Sequence, residues 1–240
     1  ITLLRTDTCV RMTLKDIRLS GEMLLRIIKI GIPAAIQLAI TAFSNVFVQS
    51  YIAGVNGDQT YNLGGWTSYT KIDQFIFLPV QSIALAATTF VAQNLGTGNV
   101  ERAKKGARTA YITATAITAA VIVTVMILAR PLAMLFNADP NVVACAVTLL
   151  HHLTPFYLFC PLNQVFAASL RGAGDSRAPM FIMLGAFVVF RQIYLFVMST
   201  FISNDLLPIA MSYPAGWAVC CIATLIYYSR FSFEKSKVIE

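Results

Sequence analysis

The sequence predicts an all-α, polytopic membrane protein of six transmembrane helices, and two observations carry the prediction. Hydrophobic residues make up 57% of the 240 and charged residues only 12%. That is about half the charged share of a soluble domain, so too little polar surface remains to cover a soluble fold. The second observation is length. A hydrocarbon core about 30 Å thick needs about 20 apolar residues of helix, and runs of that size fall near Ile30–Ile52, Ile72–Leu95, Thr109–Ala129, Val142–Leu170, Met180–Ile202 and Leu207–Ser229. Backbone in lipid must be satisfied within a helix or a closed barrel. Barrel strands alternate over about ten residues; these runs are twice as long and do not alternate, so they read as helices.

Taken in order, the segment before the first run is basic and mixed. Leu14, Ile17, Leu24, Leu25 and Ile28 interleave with Lys15, Arg18, Arg26 and Lys29, a pattern that suits a helix lying in the interface beside anionic lipid. Residues 1–29 are therefore expected as a cytoplasmic interfacial segment, 30–229 as the six-helix lobe and 230–240 as a cytoplasmic tail. Short polar turns are expected at Gly54–Gly65, Gly96–Arg108, Arg130–Asn141, Arg171–Pro179 and Ser203–Asp205. Orientation comes from Lys and Arg in the short loops. The turn with Arg102, Lys104, Lys105 and Arg108, the turn with Arg171 and Arg177, and the tail with Arg230, Lys235 and Lys237 are rich. The intervening turns are poor, holding only Arg130 at a helix end. Both termini are predicted to be cytoplasmic, in the plasma membrane. No cleavable-signal pattern is visible, and because the chain opens on Ile1 rather than Met its true start is expected to lie upstream.

The formal charge of +7 is explained by that loop pattern, and no soluble basic face exists for nucleic acid. Cysteines 9, 145, 160, 220 and 221 show no CxxC spacing, so neither a disulfide framework nor a zinc site is indicated. His151 and His152 are adjacent and cannot chelate one metal as an i, i+4 pair does; interfacial packing is their expected role. No Ser-His-Asp set, metal motif or nucleotide loop is present, so the chain is not expected to be an enzyme or to carry a cofactor.

Ionisable residues inside a membrane are costly and functional by default. Arg191, in Phe190-Arg191-Gln192-Ile193-Tyr194, sits at the midpoint of the fifth run. Asp73, in Lys71-Ile72-Asp73-Gln74-Phe75, is expected about one turn inside the outer end of the second. One reading makes Asp73 a cation or proton site with Arg191 as its modulator; the other makes each a packed charge, paired with its counterpart. Gln37, Thr41, Asn45 and Gln49 form one helical stripe, joined by Gln81, Asn163 and Gln164 elsewhere. Such a stripe suits either a cavity lining or hydrogen bonds between helices. Pro33, Pro79, Pro155, Pro161, Pro208 and Pro214 permit kinks, useful to a protein that rocks between states. Trp66 and Trp217, with Tyr61, Tyr69 and Tyr213, are expected in an aromatic belt. The Gly-rich turns after the second and fourth runs call for glycine at φ > 0, with Asn99 or Asp175 capping the next helix.

Several segments resemble one family. They are Gly31-Ile32-Pro33-Ala34-Ala35-Ile36-Gln37, Lys71-Ile72-Asp73-Gln74-Phe75 with Pro79, Phe90-Val91-Ala92-Gln93-Asn94-Leu95-Gly96-Thr97-Gly98 followed by Glu101-Arg102-Ala103, and Leu170-Arg171-Gly172-Ala173-Gly174-Asp175-Ser176-Arg177-Ala178-Pro179. Together they look like the C-terminal six-helix lobe of the multidrug and toxic compound extrusion (MATE) family, over about Ile27 to Tyr228. The resemblance implies one lobe of a two-lobe exporter of organic cations and other amphiphiles, driven by Na⁺ or H⁺ re-entry through alternating access. The implied partners are a small organic substrate, membrane lipid, and either an N-terminal lobe or a second copy of the chain. Gln37, Asn45, Gln49, Asp73, Asn163, Arg191 and Tyr194 would then line the substrate or cation pathway. The acidic residue that some members carry in the first helix of this lobe is replaced by neutral residues here. Two alternatives remain open: a lipid-linked saccharide flippase of the same broad architecture, and a lobe that only packs against another subunit.

Overall fold

A computed structural model of the chain describes residues 20–235. Among the described residues six helices are long and apolar enough to cross a membrane: Ala35–Ala53, Gln59–Gly96, Val100–Ile127, Pro140–Gly172, Arg177–Ile202 and Leu206–Arg230. Numbered in chain order, these are the first to sixth spans. Side chains such as Leu38, Leu85, Ile127 and Phe201 are more than 70% exposed on their outward faces. A soluble bundle would bury these groups; here they present the apolar surface a bilayer requires.

The first span is the continuation of a longer helix, Gly21–Ala53. No break marks the expected change from interfacial segment to membrane at residue 29, and residues 14–19 of that segment lie outside the described residues. The second span starts well before Ile72. Asp58 sits just ahead of it in an extended conformation, and its carboxylate accepts from the backbone N–H groups of Thr60 (2.8 Å) and Tyr61 (3.3 Å). This side chain satisfies orphan donors of the first turn, so Gln59–Gly65, expected as a turn, is helical. The third turn likewise contains a short helix, Ala129–Met134.

The fourth span is interrupted where a proline would interrupt it. A 3₁₀ stretch, Thr154–Leu158, carries Pro155 and joins helices Pro140–Leu153 and Phe159–Gly172. The fifth span is irregular for a different reason. Two π-helical stretches, Gly185–Phe190 and Met198–Ile202, bracket the α-helical turn pair Arg191–Val197. No proline lies in either, so the proline pattern does not foresee them. In the sixth span a short Leu206–Ala210 helix breaks at Met211 before Ser212–Arg230.

The largest core joins Val48, Ile52, Ile72, Ile76, Leu149, Leu153, Tyr157, Leu195, Ile209 and Trp217 from five spans, with Ile122 and Val125 of the third. Toward the other end the contacts become small: Ala87, Ala114 and Val165 form one cluster, and Ala167, Met183, Ala186 and Cys220 another. Small residues let helices approach closely, which drives association in lipid. Gly172 shows this at its limit: a Cβ there would stand 2.5 Å from the Thr88 carbonyl oxygen on the second span.

The Gly-containing turns behave as tight reversals. Gly98 and Gly174 hold φ of +75° and +85°, a region open to glycine at little cost. Asn99 precedes the third span but its side chain makes no cap bond. Asp175 does cap: it accepts from Ala178 N–H at 3.1 Å and from the Tyr227 hydroxyl at 2.5 Å, fastening this turn to the sixth span.

At the opposite end two loops are clasped. Asn56 N–H donates to Asn204 O (2.8 Å), the Asn204 amide donates to Gly54 O (2.8 Å), and the Asn56 amide donates to Asp205 (3.1 Å). Ser203 also donates to Asp205, at 2.7 Å. The hydrogen bonds from Ser203 and Asn56 hold the Asp205 carboxyl below the usual carboxylate range. A group whose folded pKa is depressed contributes above its unfolded value, about 3.9, and loses that contribution as pH falls through the folded value. The melting midpoint of the purified protein in detergent is therefore expected to fall below about pH 4. Asp205→Asn should flatten that part of the profile; an unchanged profile would show that the clasp adds nothing.

Candidate transport site

The residues singled out in the sequence do not form one cluster. The structure brings Arg191 and Asn45 together, sets Asp73 and Asn163 in a neighbouring aromatic region, and leaves Gln37, Gln49 and Tyr194 apart.

Arg191 stands at the junction between the first π-helical stretch and the α-helix after it. It is only 3% exposed. Its Nη2 donates to Ser44 Oγ and to Asn45 Oδ1, both at 2.8 Å, and its guanidinium lies 4.8 Å from the centre of the Tyr213 ring. The Tyr213 hydroxyl donates to the same Asn45 oxygen at 3.3 Å. Gln192 donates to Ser44 Oγ (3.1 Å), and Ser44 in turn donates to the Phe187 carbonyl (3.0 Å). Phe187 lies within the π-helical stretch, where the altered backbone bonding turns a carbonyl toward a side chain. The first, fifth and sixth spans thus meet at one polar node. Ser44, Gln192 and Tyr213 were not expected there; a serine or glutamine in an apolar run carries little signal by itself.

Asp73 lies about 21 Å along the helix axis from Gln59, at 1.5 Å per residue, not one turn from the end. The early start of the second span accounts for the difference. It is half-buried and close enough to Tyr69, Tyr213 and Cys160 to interact electrostatically with each. Asp73 and Arg191 form no ion pair; the ion pair present among the described residues joins Lys105 and Glu101. Asp73 and Arg191 each interact electrostatically with Tyr213 instead.

The tryptophans expected at the interface are buried. Trp66 is 4% and Trp217 5% exposed. Trp66 packs 5.2 Å from Tyr69 and 5.4 Å from Tyr213, and Trp217 packs 4.7 Å from Tyr157. The Tyr69 and Tyr157 hydroxyls share a hydrogen bond of 2.9 Å. The tryptophan rings find aromatic partners inside the helix bundle, which outweighs the interfacial preference. Asn163 closes the region: its amide donates to Trp217 O at 3.1 Å, and its buried Oδ1 has no partner. Tyr69→Phe is expected to lower stability by about 1–3 kcal/mol, because the buried Tyr157 hydroxyl loses its partner. The double change with Tyr157→Phe should be milder than the sum. Denaturant titration in micelles checks this, and strict additivity would refute the coupling.

The remaining candidates are peripheral. Gln37 contacts the Met183 sulfur across to the fifth span, Tyr194 donates to the Pro208 carbonyl at 3.2 Å, and Gln49 is exposed. Among the described residues no group of three His, Cys, Asp or Glu could hold a metal ion. His151 and His152 are exposed and each meets a backbone carbonyl.

Six apolar helices around buried polar nodes define a polytopic membrane protein, and comparison with known proteins gives the family. The MatE family model matches residues 33–197; the chain belongs to the MatE family. It is 24% identical over 237 residues to "Probable multidrug resistance protein YoeA" of Bacillus subtilis, covering 98% of this chain and 49% of that one. It is 28% identical over 185 residues to "Multidrug resistance protein MdtK" of Pectobacterium atrosepticum, covering 73% and 39%. Its fold matches a solved outward-facing conformation of a multidrug resistance MATE family transporter of the MOP superfamily, with TM-score 0.84 and 21% identity, over 94% of this chain and 50% of the other. The chain thus spans about half the length of the relatives it matches.

Proposed function

We propose that this chain forms one lobe of an exporter that moves organic cations, drugs or other amphiphilic solutes by alternating access, coupled to Na⁺ or H⁺ re-entry. The observation that carries the reading is the pair of intramembrane charges Asp73 and Arg191, which form no ion pair with each other and each interact electrostatically with Tyr213. An ionisable carboxylate without an ion pair inside a membrane is a site for a proton or a small cation, and family membership supplies the context. Asp73 is assigned the coupling ion, with Asn45, Arg191 and Asn163 along the pathway and Gln37, Gln49 and Tyr194 at its margins. The complementary half is a second lobe or a second copy of the chain, in the plasma membrane, with both termini cytoplasmic. A lipid-linked saccharide flippase is disfavoured because Arg191 is the one buried basic residue among the described residues, too little charge for a pyrophosphate.

Reconstitution of the full-length natural protein in liposomes tests the proposal. Ethidium movement should track an imposed pH or Na⁺ gradient and stop when the gradient is collapsed. Movement indifferent to both gradients would refute coupling, and no movement at all would favour a lobe that merely packs.

A further inference from the structure

The hydrogen-bonding capacity around Arg191 is lopsided. Of the five N–H groups a guanidinium carries, the two on Nη2 are engaged, by Ser44 and Asn45. Nε is buried without a partner, although the residue is only 3% exposed. The acceptors nearby are taken. Ser44 Oγ accepts from Arg191 and Gln192 while donating its own hydrogen to Phe187 O. Asn45 Oδ1 accepts from both Arg191 and Tyr213. The groups left over, Gln192 Oε1 aside, are donors: Nε of Arg191 and the Asn45 amide nitrogen. No carboxylate among the described residues pairs with the guanidinium, and the Tyr213 ring face at 4.8 Å attracts the cation without neutralising it.

A buried cation surrounded by surplus donors is complementary to an anion, and a guanidinium fork matches the two oxygens of a carboxylate. We propose that Arg191 and Asn45 bind the carboxylate, or an equivalent singly charged oxyanion group, of an amphiphilic solute. One guanidinium suits one negative charge, and the adjoining Tyr213 and Phe187 surfaces suit an apolar body. The solute class handled by this node is thereby an anionic or zwitterionic amphiphile. This rests on the proposed export function for its physiological meaning, while binding itself is measured separately.

The test uses a matched pair of probes, 1-pyrenebutyrate and the neutral 1-pyrenebutanol, binding to the full-length protein in nanodiscs, monitored by fluorescence anisotropy. The wild-type protein should prefer the carboxylate by about tenfold or more. Arg191→Gln should bring the ratio near one, and Arg191→Lys should keep part of it. Equal binding of the two probes by wild type would overturn the inference, and needs no variant to fold. A preference that survives in folded Arg191→Gln would also overturn it. Carboxylate preference without gradient-driven movement of any probe would support the site and remove the export reading. Ethidium export without carboxylate preference would do the reverse.

Discussion

Asp73→Asn is expected to abolish gradient-driven export while leaving the lobe folded and more stable. The substitution keeps the side-chain shape and removes the ionisable oxygen. Asp73 is half-buried and forms no ion pair, and its neighbours are Tyr69, Tyr213 and Cys160. A carboxylate so placed gains nothing from a counter-charge within the described residues, and burial of an unpaired charge opposes folding. Removing the charge should therefore raise the melting temperature in detergent. Coupling needs a group that takes up and releases a proton or cation, so concentrative ethidium transport should fall by about tenfold or more, roughly 1.4 kcal/mol at least in the coupled step. Opposite signs for stability and transport would mark a functional residue. Lower stability with intact transport would make Asp73 a packing residue and move the coupling site elsewhere.

The second large effect concerns packing. Gly172→Ala places a Cβ 2.5 Å from the Thr88 carbonyl oxygen and 3.2 Å from Val91 Cβ. The obstructing atom is backbone, which cannot rotate away, and Thr88 is already tied to this span through its hydroxyl, which donates to Ala168 O at 3.1 Å. Overpacking of this kind costs about 1–3 kcal/mol for a methyl group, and Gly172→Leu should prevent a monodisperse lobe altogether. Gly31→Ala is the control, since nothing lies within 4 Å of its Cβ position; it should be neutral or gain up to about 1 kcal/mol of helix propensity. Size-exclusion profiles and thermal melts of the three variants decide the matter. A well-behaved Gly172→Leu protein would mean the second and fourth spans separate at little cost.

The spans were legible because membrane thickness imposes a length on apolar runs, and Arg191 was legible because nothing else places a charge in the middle of one. Other features resist reading for identifiable reasons. Gly64 and Gly65 lie in what looks like a turn, yet Cβ positions there would press on Val142 and Cys145 of the fourth span. They are packing surfaces of a helix, and composition does not separate the two uses of glycine. Trp66 and Trp217 carry the signature of interfacial anchors, but their ring partners come from other spans and only three-dimensional proximity reveals them. Asn45 was visible as part of a stripe, whereas its companions Ser44, Gln192 and Tyr213 gain meaning only once the first, fifth and sixth spans are brought together.

The π-helical stretch before Arg191 has a consequence for how this chain tolerates changes in length. Its wider turns absorb an additional residue without displacing the flanking helix, so Met183 and Arg191, both 3% exposed, are buried on either side of it. Deleting one residue from Gly185–Phe190 is expected to restore ordinary α geometry and leave the rest of the span in its bearing. The span would keep nearly its length across the bilayer, and Arg191 would stay against Ser44. In this stretch one residue is surplus to the direction in which the charge points, whereas the same deletion from a regular α-helical turn would swing the charge by about 100°.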